Sequence, residues 1–507
     1  MDRTMIMAVD LGTSQIKAGI FNTDGVRLAL AREPVRSEKP APDQFIQHGE
    51  DICASVVRCI RKAVEETGNA DGIAAIAFTG QMAGFMGVGK DWEDITGWSC
   101  SLDTRYTAFA EKQMKEHRDD FICISGTGSP LFSAKYAWFA HAFPEQAKRI
   151  RKYLMLNGYI IGRLGNMPLE DAVIDGSLLT WTGMADVRNR RWSEKICGEL
   201  GIDTACLPQI TASSETAARL SPEAAKATGL KSGIPLIAGA GDKIAGCVGA
   251  ACLREGALLF EAASFGAVSC MVNDFRPDRE KQRYDLLNGA EAGKLYAHYY
   301  MPGSGITQEW FVNRFVRKES ETLQQAYHRI DKAVAGIGPG SEGLLAVGML
   351  GGTVMPFDGD LRGVFLGHSW SHGPEHFYRA LVESFAFSLS TAIDRIHEIY
   401  PEYREEESIR VIGGGIHSPN SLQIYADVTG KTLETTGHDE AALWGACILA
   451  AKGIGLTDEL SESAEKHVRP GKRYEPDPER HERYRRLKEQ YNRFEERLSS
   501  LCSERLH

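Results

Sequence analysis

The chain opens on a run that alternates and then turns. TMIMAVD has the apolar density of a buried strand, LGTS is a tight turn, QIKAGIFN is a returning strand and NTDG is a second turn. From Gly49 the period changes: Ile52, Val56, Ile60 and Val64 recur at i, i+4 spacing, which predicts a helix, and IAAIAFTG then predicts a buried strand. Strand, turn, strand, helix and strand in that order predict an α/β fold that opens with a β-hairpin.

Around residues 257 to 272 the opening pattern returns in weaker form, as ALLFEAAS, an FG turn and AVSCMV, and IRVIGGGIHSPNSLQIYADVTG later offers another strand, a glycine turn and a helix. The chain therefore divides into two α/β halves, 1–250 and 251–507, each starting with a strand-turn-strand around glycine and a small or hydroxyl residue. Its 507 residues agree, being too many for one ordinary core. In the tail, Tyr484, Leu487, Tyr491, Phe494 and Leu498 alternate at spacings of three and four, which predicts a helix docked on the body. Its arginines are offset by acidic neighbours, the pattern of a solvated face.

A net charge of −10 argues against nucleic acid or an anionic membrane as partner, since both favour concentrated Lys and Arg. A local phosphate site stays open, because backbone N–H groups and one or two basic residues suffice to build it. The cysteines form no C-x-x-C pair, and Cys53, Cys59 and Cys197 sit in helix-like apolar patterns, as small buried hydrophobes of a reducing compartment do. The first apolar run is shorter than a signal sequence and none approaches 18 residues, so a cytoplasmic protein is expected.

Three glycine-rich turns carry the candidate chemistry. VDLGTSQIK sets Asp10 at a strand end, Gly12, Thr13 and Ser14 in the turn and Lys17 on the return; this suits a phosphate with magnesium at Asp10, and equally a plain hairpin with an exposed Asp. VIGGGIHSPN lets a nucleotide lie along Gly414 and Gly415, or is simply a close strand-helix turn. AGAGDKIAGCVGA places Asp242 among small residues, where it either caps a helix or performs chemistry.

Taken in order and spacing, these segments resemble the FGGY carbohydrate kinases, within the sugar kinase, actin and Hsp70 ATPase superfamily. MAVDLGTSQIKAGIFNTDG is similar to the family's first phosphate motif and GIPLIAGAGDKIAGCVGA to the segment of its catalytic aspartate; LRGVFLG, VIGGGIHSPN with IYADVTG, and EAALWGACILAAKGIG follow. SAKYAWF, IDGSLLTWTGMADVRNRRW and GSGITQEWF fill in between. The resemblance implies two ribonuclease H-like domains around a cleft, with ATP and Mg²⁺ as cofactors. It implies Asp242 as general base, Asp10 acting through magnesium, and Thr13, Ser14 and Lys17 on phosphates. Gly266, Ala267, Gly305, Glu309, Gly414 and Gly415 would lie along the nucleotide. It further implies a sugar or polyol, such as a pentulose, phosphorylated at a terminal hydroxyl beside Gln81, Met82, Ala83 and Asp103. The small residues around Asp242 would let two domains and two substrates meet there. For Gln81 and Met82 the alternative is a turn and a core side chain.

Two positions depart from the family pattern. A Thr normally follows the glycine of the second phosphate turn; Ala267 follows Gly266 here, which implies weaker nucleotide binding and keeps a catalytically weak regulatory homologue in view. GQMAG resembles the xylulokinase Gly-Gln-Met-His-Gly with Ala83 in place of the sugar-contacting His, while GWSCSLDTR retains Asp103 and Arg105. An actin- or chaperone-like ATPase would need no base at Asp242. A homodimer is the default assembly for a soluble homo-oligomer.

Overall fold

The computed structural model describes residues 4–301, 303–348, 353–355, 357–358, 362–437 and 440–503. Strands β1 (Met5–Leu11), β2 (Gln15–Asn22) and β3 (Arg27–Pro34) form an antiparallel meander in which Asp10 faces Lys17 and Leu11 faces Ile16. Helix α1 (Gly49–Thr67) buries Ile52, Val56, Ile60 and Val64 and ends at Gly68 in the left-handed conformation. It returns the chain so that β4 (Ile73–Gly80) lies parallel to β1. Strands β5 (Thr216–Arg219) and β6 (Pro235–Gly241) complete a six-stranded sheet in the order β5-β6-β4-β1-β2-β3, and helix α2 (Asp242–Gly249) follows β6 directly. Near the end of β6, Gly239 sits at φ +73°, where a Cβ would fall 1.6 Å from the Phe78 carbonyl oxygen. The pairing register slips there, a bulge that re-aims the chain as it enters α2.

The second sheet has seven strands, β7 (Leu258–Glu261), β8 (Gly266–Val272), β9 (Asp285–Asn288), β10 (Leu295–Met301), β11 (Ser408–Ile412), β12 (Thr432–Thr436) and β13 (Pro470–Tyr474), in the order β9-β10-β8-β7-β11-β12-β13. Across β3-β2-β1-β4-β6 the pairings run antiparallel, antiparallel, parallel, parallel; across β10-β8-β7-β11-β12 they run the same way. The weak return of the opening pattern at residues 257 to 272 is thus a structural repeat of the first hairpin.

Helices α3 (Ser304–Phe311), α4 (Leu323–Val334), α5 (Pro374–Ile399) and α6 (Pro419–Thr429) surround the second sheet. Helix α7 (Ala441–Gly453) instead packs on α2 and on β1 and β4 of the first. The two helices touch backbone to backbone: a Cβ on Gly249 would lie 1.9 Å from the Ala441 carbonyl oxygen, and one on Gly445 would lie 1.8 Å from that of Ala245. The small residues of AGAGDKIAGCVGA are therefore a packing requirement, independent of any ligand.

The tail forms helix α8 (Pro478–Ser503), docked on α5 as expected, with Tyr484 and Tyr491 fully buried. The Tyr484 hydroxyl donates to Glu383 (2.7 Å) and accepts from Arg379 (2.6 Å). Phe494 is 41% exposed, so the seam is narrower than its spacing suggests. The described cysteines are free. No described helix is long and apolar enough to cross a membrane.

Candidate active site

The turn at residues 12–14 joins β1 to β2, half-buried at Gly12 and Thr13 and exposed at Ser14. A Cβ on Gly12 would sit 2.6 Å from the Gln15 carbonyl oxygen, so the turn closes only on glycine. The Thr13 carbonyl accepts from Gln47 Nε2 (2.8 Å) and that of Ser14 from the Val35 N–H (3.0 Å), which fixes the loop from behind. Asp10 is pushed up to about 7, chiefly by burial and further by the charges of Asp242 and Glu440, against the pull of Lys17. Lys17 Nζ stands 3.6 Å from Asp10 and 2.8 Å from Glu440, the residue before α7.

The second hairpin corrects the reading of Ala267. Gly266 begins β8, and Ala267 lies inside it, 2% exposed and paired with Glu261 and Tyr300. The turn is residues 262–265, and its hydroxyl is Ser264. By pairing register Glu261 is the counterpart of Asp10 and Ala267 that of Lys17, so position 267 lies on the return strand and not in the turn. Gly266 donates its N–H to Ser304 Oγ (2.8 Å), which ties the turn to α3.

Asp242 is the first residue of α2, yet the N-cap is Gly241 and no side chain caps the helix. The Asp242 carboxylate accepts the neighbouring Lys243 N–H (2.8 Å) and is 36% exposed. Asp242 thus starts a helix without serving as its cap. Lys243 Nζ lies 2.7 Å from Glu261 and 3.8 Å from Asp242 Oδ2. Burial lowers the Lys243 pKa, but the facing Asp242 and Glu261 carboxylates outweigh it and hold it above the ordinary lysine value. Burial pushes Glu261 up, opposed by Lys243. Sequence reasoning misses Glu261, Glu440 and the pairing of Lys243; Glu261 alone leaves a trace there, as the acid of ALLFEAAS in the place of Asp10.

Behind Asp242, a short relay fixes the helix start. The Gly241 N–H donates to Ser177 Oγ (2.9 Å), which donates to buried Asp175 (2.5 Å). Both belong to the IDGS segment, to which the sequence pattern alone attaches no role.

Gln81, whose N–H donates to the Leu11 carbonyl (3.3 Å), accepts from Trp98 Nε1 (3.2 Å), and its Nε2 is buried without a partner among the described residues. Met82 is buried against Gly241, where a Cβ would fall 2.3 Å from Met82 Cγ. Ala83 is half-buried. Asp103 does not fit a sugar contact: its side chain is 2% exposed, and it accepts from Ser99 Oγ (2.9 Å), Arg105 Nε (2.8 Å) and Nη2 (2.6 Å) and, longer, the Arg105 N–H (3.4 Å). Its four lone pairs are taken by its own chain. Arg105 stacks on Trp138 at 4.1 Å, and Lys135 of SAKYAWF, held down to about 8 by burial, donates to Ser99 Oγ and the carbonyls of Cys100 and Asp103.

Gly305 lets α3 lie on the second turn: a Cβ there would be 2.4 Å from the Ala263 carbonyl oxygen, and the next N–H, of Ile306, donates to Ser264 O (3.1 Å). Glu309 is exposed. Gly415 donates to the Ala262 carbonyl (2.8 Å), whereas a Cβ on Gly414 would meet open space. Beside this turn opens a cavity of about 330 Å³, lined in part by His328, Lys332, Ile416, Asn420 and Lys472. Leu361, which begins LRGVFLG, lies outside the described residues.

The N-terminal domain model of the FGGY family of carbohydrate kinases matches residues 5–249 and the C-terminal domain model residues 288–454. The chain is 26% identical to a xylulose kinase of Bacillus subtilis (strain 168), over 96% of this chain and 95% of that one. It is 25% identical to a gluconokinase of the same strain, over 89% and 88%. The fold matches the crystal structure of a ligand-bound xylulose kinase from Lactobacillus acidophilus with a TM-score of 0.88 at 22% identity, covering 99% of both chains. With two sheets related by a repeat, carboxylates of both halves gathered around Lys17 and Lys243, and matches along nearly the whole length, the chain belongs to the FGGY family and is a carbohydrate kinase.

Proposed function

We propose that the protein transfers the γ-phosphoryl group of ATP to a terminal hydroxyl of a small ketose or polyol, a pentulose or a near relative of xylulose, with Asp242 as general base. The observation that carries the reading is the Asp242 carboxylate, 36% exposed at a helix start, beside Asp10 and facing Lys243. In the step proposed, the acceptor oxygen attacks the γ-phosphorus as its proton passes to Asp242. The bond from the γ-phosphorus to the bridging oxygen breaks, and ADP leaves with that electron pair.

The carboxylate of Asp10, buried and beside the phosphate turn, is a hard oxygen donor, the chemistry that suits magnesium. Asp10 would hold the ion directly or through a water; when bound, the ion neutralises phosphate charge. Thr13, Ser14, Ser264 and Gly414 are proposed to lie along the phosphates, with the cavity beside residues 413–415 taking the base. The case for a weak regulatory homologue rests on Ala267; the hydroxyl of Ser264 in the preceding turn supports the active reading instead. A division near residue 250 belongs to the same proposal; it is supported by two sheets built from residues on either side, bridged by α7.

Ala83 bears on the acceptor. A buried imidazole would fill space and bond a hydroxyl, and alanine does neither, so selection for that hydroxyl falls to groups such as Gln81 Nε2, which has no partner among the described residues. Screening ketoses, aldonates and polyols for ADP production tests the function. The expected result is a best substrate, by kcat/KM, other than D-xylulose; no acceptor-stimulated ADP release from any class would refute the kinase reading proposed for this cleft.

The same geometry predicts a pH limb. Asp10, raised by burial to about 7, is protonated below that value and must ionise to serve a cation. Because the free-enzyme acid is raised, kcat/KM for ATP is expected to be low at acid pH and to rise through about pH 7. A profile flat from about pH 5.5 to about pH 8.5 would contradict it.

A further inference from the structure

We propose that Lys243 is a catalytic residue of the transfer, the cation that meets the γ-phosphoryl group, and that Glu261 holds it until nucleotide arrives. This rests on Asp242 being the base. At transfer, base, acceptor oxygen and γ-phosphorus lie in sequence within about 3 to 3.5 Å of one another. A cation 3.8 Å from Asp242 Oδ2 therefore stands within reach of the phosphoryl oxygens. On its other side Lys243 Nζ touches Glu261, one residue before the turn 262–265, so it lies between the base and the second phosphate turn.

The repeat explains why a lysine is needed here. In the first hairpin Asp10 faces Lys17 across the strands; in the second, Glu261 faces Ala267, which carries no charge. The second hairpin borrows its cation from α2 of the first half, while Lys17 reaches Glu440 of the second half. The ammonium is 11% exposed and has two carboxylates in range, so it stays charged and near the cleft. An incoming triphosphate offers it denser negative charge than Glu261, and the exchange directs a positive charge at the oxygens where charge develops.

The test measures binding of Mg–AMP-PNP and Mg–ADP by calorimetry beside steady-state kinetics with the best acceptor found. Lys243→Met is expected to lower kcat about 10²- to 10³-fold, as loss of one preorganised charge donor does. It is expected to weaken AMP-PNP about tenfold while leaving ADP within about twofold, and Lys243→Arg to restore part of both. Glu261→Gln is expected to tighten AMP-PNP, because its competitor for the ammonium is weakened. The double variant Lys243→Met/Glu261→Gln leaves no lone buried carboxylate and must show the same loss selective for the triphosphate, which guards against a folding defect. Equal weakening of both nucleotides in the double variant, or a kcat within about threefold of the parent in Lys243→Met, would overturn the inference. In the latter case an inactive Asp242→Asn would leave the base reading standing, so the two failures are distinct.

Discussion

Replacing Asp242 by asparagine is expected to leave nucleotide affinity within a fewfold of the parent and to lower phosphoryl transfer by about 10²- to 10⁴-fold, the range for loss of a general base. The substitution is close to isosteric, and two features protect the surrounding structure. The helix start does not depend on the Asp242 side chain as a cap, since the N-cap is Gly241 and its N–H is held by Ser177. Lys243 keeps its shorter contact, 2.7 Å to Glu261, when the 3.8 Å partner is neutralised. The loss should therefore fall on kcat, with KM for ATP little changed, and calorimetry with Mg–ADP should match the parent. Turnover within about threefold of the parent would return Asp242 to a purely structural role at the helix start.

What can be read in the sequence is what short-range physics decides. The opening hairpin and α1 are legible because alternation, turn residues and i, i+4 spacing act within a dozen residues. The second hairpin is legible as a repeat but not in register. SFGAVS reads equally well with its turn before or after Gly266, and only the pairing of Glu261 with Ala267, and of Ala267 with Tyr300, shows that the strand has already begun. Asp103 and Arg105 are visible as a pair of charged residues in one short segment. Whether the carboxylate faces a sugar or the guanidinium is settled by rotamers, and those follow from Trp138 and Lys135, some thirty residues away. The charges that complete the cleft are hidden for the same reason. Glu440 meets Lys17 from 423 residues along the chain, and no local pattern records that distance.

The small residues around Asp242 suit a place where substrates meet, and the structure gives them a second cause that can be tested by its sign. Gly445 lies inside α7, where alanine is the better helix former by about 1 kcal/mol. On propensity alone Gly445→Ala should stabilise the protein. The added Cβ would fall 1.8 Å from the Ala245 carbonyl oxygen, a backbone atom of α2 that cannot rotate away. The helices must separate, and α7 also packs on β1 and β4, so contacts on both its faces loosen together. Overpacking of this kind costs about 1 to 3 kcal/mol and more when backbone must move, which exceeds the propensity gain. Gly445→Ala is therefore expected to lower the melting temperature and, because α2 carries Asp242 and Lys243, to reduce kcat in the fraction that remains folded. Gly198 lies inside a short helix, Glu194–Glu199, and a methyl group added there would have nothing within 4 Å. It is the control: Gly198→Ala is expected to hold or raise stability. Thermal and denaturant unfolding of the two variants side by side checks the pair, and stabilisation by Gly445→Ala would show that α2 and α7 do not meet backbone to backbone.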